Sequence, residues 1–278
     1  MKTTLPALAL VALSSASHVS IEERQNSGVG TGPFAPAGYY TSNALGGHTF
    51  YAPKTVPAGT KLPVMLWGNG GCSADATGQA PFLTQLASQG VLVIASGTPR
   101  GGGSTTADVM KQSIDFITAN AGKEGGAFAN VDASRITAAG WSCGGVEAYA
   151  QIWDARVQSV GIWSSGLLTN YTAAQNFRKP VFFFLGGQSD IAYGNGERDY
   201  AAMPAGVPKW KGNLNVGHGG TYTDVNGGKF GVIGGHWVQW TMRGNASAAA
   251  YLTGSGAKND GWSVVSADLD KLSVTPIA

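Results

Sequence analysis

A serine, a carboxylate and a histidine can together make a hydroxyl nucleophilic, and this chain offers them in a usable order. Gly140-Trp141-Ser142-Cys143-Gly144-Gly145 follows a stretch that reads as a strand (135–139) and opens one that reads as a helix (144–154). A serine on such a strand-to-helix turn points its hydroxyl away from the sheet, and side chains at the flanking positions would strike neighbouring backbone. Gly140 and Gly144 remove that collision, and the positive end of the helix lies where an anion must develop. The turn therefore predicts Ser142 as a nucleophile rather than a tight-turn serine.

A lone serine needs a base and an acid that orients it. Asp190 stands directly past the apolar run 181–185 (VFFFL), on a loop at the strand's carboxyl end and hence on the rim where Ser142 falls. Asp199, Glu197 and Asp224 follow core strands less closely. Of four histidines, His18 lies in a segment read below as removed, and His48 comes too early in the chain. His236 sits among Trp237, Val238 and Trp240, a setting for a packed histidine. His218, between Gly217 and Gly219 after a short predicted strand (214–216), is the expected base. The chain order Ser142, Asp190, His218 suits a hydrolytic triad.

An acyl-transfer site also needs two N–H donors for the oxyanion. The amide of Cys143, next to the nucleophile, is one. Trp67-Gly68-Asn69-Gly70-Gly71-Cys72, after a predicted strand at 62–67, supplies the other, Gly71 ahead of Cys72. The chain's two cysteines thus occupy the two loops of the hole, which predicts a Cys72–Cys143 disulfide. Trp141, Trp163 and Tyr193 either flank the site and grip an apolar or aromatic acyl group or simply pack in the core.

These groups need a frame. Strands are expected at 48–52, 62–67, 91–96, 135–139, 157–163, 181–185 and 214–216. Helices are expected at 79–89, 109–120, 144–154 and 229–243, and residues 25–47 read as an extended lead-in. Alternating strands and helices, with nearly continuous apolar strands, predict an α/β fold with a mostly parallel sheet covered on both faces. Residues 1–16 (MKTTLPALALVALSSA) have the layout of a cleaved signal peptide, and a cut after Arg24 would make 17–24 a propeptide. Residues 25–278 then form one domain, secreted into an oxidising compartment that favours the disulfide. Asn170-Tyr171-Thr172 and Asn245-Ala246-Ser247 are glycosylation sequons.

Composition narrows the function further. Glycine supplies 42 of 278 residues without a collagen period, and charged residues are 12%, about half the ~25% usual for soluble domains. The net charge of +2, with no basic run, argues against nucleic-acid binding. No apolar stretch reaches the ~20 residues of a membrane span. Zinc-ligand spacing, phosphate loops and dinucleotide fingerprints are missing, so neither metal nor cofactor is expected.

The motifs together resemble the serine α/β-hydrolase fold over most of the mature chain. Gly-Trp-Ser-x-Gly-Gly looks like the nucleophile turn of cutinase-like polyesterases and dienelactone-hydrolase-like enzymes. The set NGGCS, SCGG, LGGQSDIAYGNGERDY and NVGHGGTY is similar to a group of secreted fungal and bacterial α/β-hydrolases. The resemblance implies Ser142 as nucleophile, Asp190 as acid, His218 as base, and the Gly71 and Cys143 amides as oxyanion donors. The chain departs from it at Asn69, where many relatives have histidine, and at Cys143, where polyesterases usually have methionine. The expected function is hydrolysis of small or polymeric carboxylic esters through an acyl-serine. The alternatives are a serine peptidase on the same triad and a non-catalytic secreted carbohydrate-binding protein.

Overall fold

A computed structural model describes residues 29–277. The signal peptide and propeptide expected at 1–24 lie outside the described residues. The strands are β1 (Ala37–Tyr40), β2 (His48–Pro53), β3 (Leu62–Gly68), β4 (Leu92–Ser96), β5 (Val131–Trp141), β6 (Val157–Trp163), β7 (Val181–Leu185), β8 (Lys209–Asn213) and β9 (Ser263–Ala267). The helices are α1 (Ala80–Ala87), α2 (Ala107–Asn120), α3 (Cys143–Ala150), α4 (Tyr193–Ala202), α5 (Gly228–Thr241), α6 (Ala246–Thr253) and α7 (Gly256–Asn259).

Among the described residues the strands form one sheet in the order β1-β2-β4-β3-β5-β6-β7-β8-β9. The block from β4 to β8 is parallel, and β1, β2 and β9 pair antiparallel at its edges. The protein is thus an α/β fold with a mixed, mostly parallel sheet.

The two-residue strand period divides the core into two layers. Phe182 and Phe184 of β7 join Met65, Trp67 and Trp163 against α1, α5 and α6. Val181, Phe183 and Leu185 face the other way with Val64, Leu66 and Ile162, against α2, α3 and α4. Removing any one of these rings from water is worth about 1.5–3 kcal/mol. Because both faces are covered, polar functional groups are left to the strand ends, and the carboxyl-end rim of the parallel block is where the candidate residues gather.

Several sequence expectations need correction. The strand expected at 214–216 is instead Lys209–Asn213, and the loop to His218 begins at Leu214. Residues 25–47 are not wholly a lead-in, since β1 lies within them. The helix expected to close the fold, α5, is followed by α6, α7 and β9. Helix α4 had no counterpart among the expected elements.

Candidate active site

Ser142 ends the crossing from β5 to α3 with φ +54° and ψ −121°, a backbone conformation rare for a residue with a side chain. Its surroundings hold it there. Its N–H donates to Trp163 O at 2.9 Å, and its carbonyl accepts from Gly145 N at 2.9 Å and Ser165 Oγ at 2.6 Å. A β-carbon at Gly140 would lie 2.2 Å from Gly144 O, and one at Gly144 only 2.0 Å from Gly68 C. Both contacts are with backbone that cannot swing aside, so the steric reason inferred for these glycines has a physical counterpart.

Asp190 is buried on the loop after β7. Gly186 N–H donates to its Oδ2 at 3.0 Å, Ala192 N–H to its Oδ1 at 2.8 Å, and His218 Nδ1 stands 2.6 Å from Oδ1. A carboxylate can only accept, so the shared hydrogen sits on Nδ1 and leaves Nε2 of a neutral ring as an acceptor. That Nε2 lies 2.9 Å from Ser142 Oγ. Trp141 steadies His218: its Nε1–H donates to His218 O at 2.9 Å, and the two rings pack with centroids 5.6 Å apart.

The loop after β3 arrives beside this group. Gly70 and Gly71 open a single 3-10 turn and have no acceptor within it. Gly71 has φ +63° and open space around it, a conformation suited to glycine. The Cys72 N–H, by contrast, is engaged with Asn69 O at 3.1 Å. Cys143 begins α3, so its amide too lacks an intrahelical acceptor. Asn69 anchors the loop from beneath, donating from Nδ2 to Ser73 O and Ser96 O at 2.8 and 2.6 Å.

Cys72 and Cys143 are at disulfide distance, with their Cα atoms 5.1 Å apart at a sequence separation of 71. Replacing both with alanine is expected to lower the unfolding free energy by about 4 kcal/mol, the chain-entropy value for a loop of this length. Urea unfolding of the double variant against the parent checks it, and an unchanged midpoint counts against the bond.

A cleft of about 150 Å³ opens over Ser142 and His218, walled by Val146, Leu168, Ile191 and Asn195. Leu168 and Ile191 are 58% and 83% exposed and form an apolar lip. The Leu168 wall is clamped from below. Buried Asp199 accepts from Leu167 N at 2.6 Å and Tyr149 Oη at 3.0 Å, and it pairs with Arg198, whose Nη2 reaches Leu167 O at 2.5 Å. A larger hollow of about 440 Å³ includes Arg135, Gln158 and Pro180, at the amino ends of the strands on the opposite rim.

Of the expected flanking aromatics, Trp141 is at the site, where it packs on His218. Trp163 is fully buried in the core, stacked on Phe184 at 3.8 Å, and does not reach the cleft. Tyr193 lines a separate hollow with Gln188, Asn213 and Asn215. His48 is buried between the carbonyls of Gly46 and Val109, and His236 is half-buried against Tyr251, its ring held below its ordinary pKa by desolvation. Asn170 and Asn245 are both exposed, and Asn245 Oδ1 caps α6. Ser165, Leu168 and Ile191 were missed by sequence reading; their one signal was position, just past the carboxyl ends of β6 and β7.

Comparison of the sequence with protein-family models and with curated proteins returned no match.

Proposed function

We propose that this chain is a secreted serine hydrolase of the α/β-hydrolase fold that cleaves carboxylic esters through an acyl-serine. The observation that carries the reading is the unbroken relay Asp190 Oδ1, His218 Nδ1, His218 Nε2, Ser142 Oγ, with steps of 2.6 and 2.9 Å. The disulfide pairing of Cys72 with Cys143 supports secretion, since such bonds persist in oxidising compartments.

In this reading His218 Nε2 takes the Ser142 proton as Oγ attacks the substrate carbonyl. Asp190 stabilises the imidazolium and holds its ring plane. The tetrahedral oxyanion receives the Gly71 and Cys143 N–H groups, each typically worth about 3–4 kcal/mol in the transition state. His218 returns the proton to the departing alkoxide, and a water repeats the sequence on the acyl-serine. Esters fit better than amides because alcohols leave more readily than amines. The open apolar lip of Leu168 and Ile191 suits an apolar acyl or alcohol part and admits bulky substrates.

A fluorophosphonate probe tests this directly. One equivalent is expected to bond to Ser142, with turnover of activated esters well above that of peptide anilides. Labelling elsewhere or none removes the hydrolase reading, and fast anilide cleavage with slow ester turnover converts it to a peptidase.

A further inference from the structure

Beneath the loop that carries Gly71 sits a carboxyl that the proposed chemistry does not use. Glu147 lies on α3 four residues after Cys143, on the same face and one turn on. It is 4% exposed. Thr105 Oγ1 stands 2.9 Å from its Oε1, while its Oε2 is buried without a hydrogen-bond partner, close against Gly68 of β3.

No cation answers this carboxyl among the described residues. On α2, Asp108 and Lys111 are exposed. The ring nitrogens of His48 face the Gly46 and Val109 carbonyls, each at 3.0 Å, and not Glu147. The Gln151 amide goes to Ala107 O and to the main-chain carbonyl of Glu147. An ionised carboxylate would hold one hydrogen bond and no counter-charge, which burial penalises heavily. Desolvation accordingly pushes the Glu147 carboxyl above its ordinary range.

A neutral acid also satisfies its neighbours better. Thr105 has one hydroxyl hydrogen and two oxygens within reach, Glu147 Oε1 at 2.9 Å and Cys72 O at 3.2 Å. Its N–H already donates to that Cys72 carbonyl at 2.7 Å. With a proton on Oε1, Glu147 donates to Thr105 Oγ1 and the threonine hydrogen goes to Cys72 O. Without it, the Thr105 hydroxyl must turn to the carboxylate, and the Cys72 carbonyl keeps only the Thr105 main-chain N–H.

We propose that Glu147 is kept as a neutral acid and is a positioning residue, fixing the Cys72 carbonyl through Thr105 and so aligning the adjacent Gly71 amide for the oxyanion. The loop is then tied to α3 twice, by the disulfide at Cys143 and by this relay one turn along. The kinetic consequence rests on the ester-hydrolase reading; the protonation state does not.

Infrared difference spectra of the whole chain at neutral pH, wild type against Glu147→Gln, are expected to contain the carbonyl stretch of a protonated carboxylic acid. Carboxylate bands in its place overturn the proposal, whether or not the protein turns over esters. In steady-state kinetics Thr105→Val and Glu147→Ala should each lower kcat about tenfold with KM within about twofold, the scale of one hydrogen bond. The double variant should match either single one, because both break the same relay. Glu147→Gln, whose amide still donates to Thr105, should recover most of the loss. A glutamine variant as impaired as the alanine one, or losses that simply add, overturns the positioning role. If Glu147→Ala fails to fold, Thr105→Val and Glu147→Gln supply the same comparison. Absence of ester turnover in the wild type would count against the hydrolase reading and leave the infrared result standing.

Discussion

Ser142→Ala is expected to lower kcat/KM on an activated ester by at least ~10³-fold, with the unfolding temperature within about 2 °C of the parent. The alanine removes the attacking atom and little else. It inherits the φ of +54°, so the strain at the turn is unchanged, and the bonds made by the Ser142 main chain to Trp163, Gly145 and Ser165 persist. His218 keeps its bond to Asp190. What remains is a cleft with its oxyanion donors, which is why residual turnover above that in water is expected. Parallel measurement of initial rates and thermal unfolding checks both halves. A variant with near-parental rates would show that Ser142 is not the nucleophile.

The elements around Ser142 were legible because their constraints are local. Gly140 and Gly144 are forced by backbone contacts within a few residues or on the adjoining strand, and VFFFL announces a strand buried on both faces without reference to anything distant. Asp190 could be read as a rim residue for the same reason, since it sits on a short loop just beyond β7, whereas His218 was placed after an expected strand at 214–216 that is loop beyond β8.

What was not legible depends on partners far away in sequence. Strand β8 reads KWKGN, with two lysines that argue against a buried strand. Lys211 is nevertheless 7% exposed, because Glu197 meets it at 2.6 Å and the Tyr200 ring lies beneath its ammonium. Glu197 and Tyr200 belong to α4, whose own sequence, YGNGERDYAA, has two glycines that lower helix propensity. One of them is required by packing, since a β-carbon at Gly196 would fall 2.6 Å from the Leu185 side chain. Each element excuses the other's composition, and neither can be read alone. Trp163 fails differently. Its position at the end of β6 suggested the rim, but the strand period turns its ring into the aromatic layer with Phe82, Phe184 and Trp237. Of the cleft walls, Leu168 and Ile191 are marked only by their position past the carboxyl ends of β6 and β7, and Val146 carries no mark that separates it from any other apolar residue.

Asp190→Asn should cost about 10⁴-fold in kcat, although the side chain is nearly the same shape. In the parent, three hydrogen donors converge on the carboxylate: Gly186 N–H, Ala192 N–H and His218 Nδ1–H. An asparagine has one acceptor oxygen and must aim its NH₂ at one side of that set. Aimed at His218, it forces the ring hydrogen onto Nε2, which then points a donor at Ser142 Oγ and cannot take its proton. Aimed at Gly186 instead, the NH₂ meets a buried N–H donor head-on, and the imidazolium of the transition state loses its counter-charge. In the first arrangement Ala192 N–H loses its acceptor and in the second Gly186 N–H does, so either leaves a buried donor unpaired at a cost of about 1–3 kcal/mol in stability. Rates and urea unfolding measured together should therefore fall together, unlike those of Ser142→Ala, where only the rate falls. Equal kcat in the aspartate and asparagine forms would mean that His218 is oriented without Asp190, and the relay would then have no functional meaning.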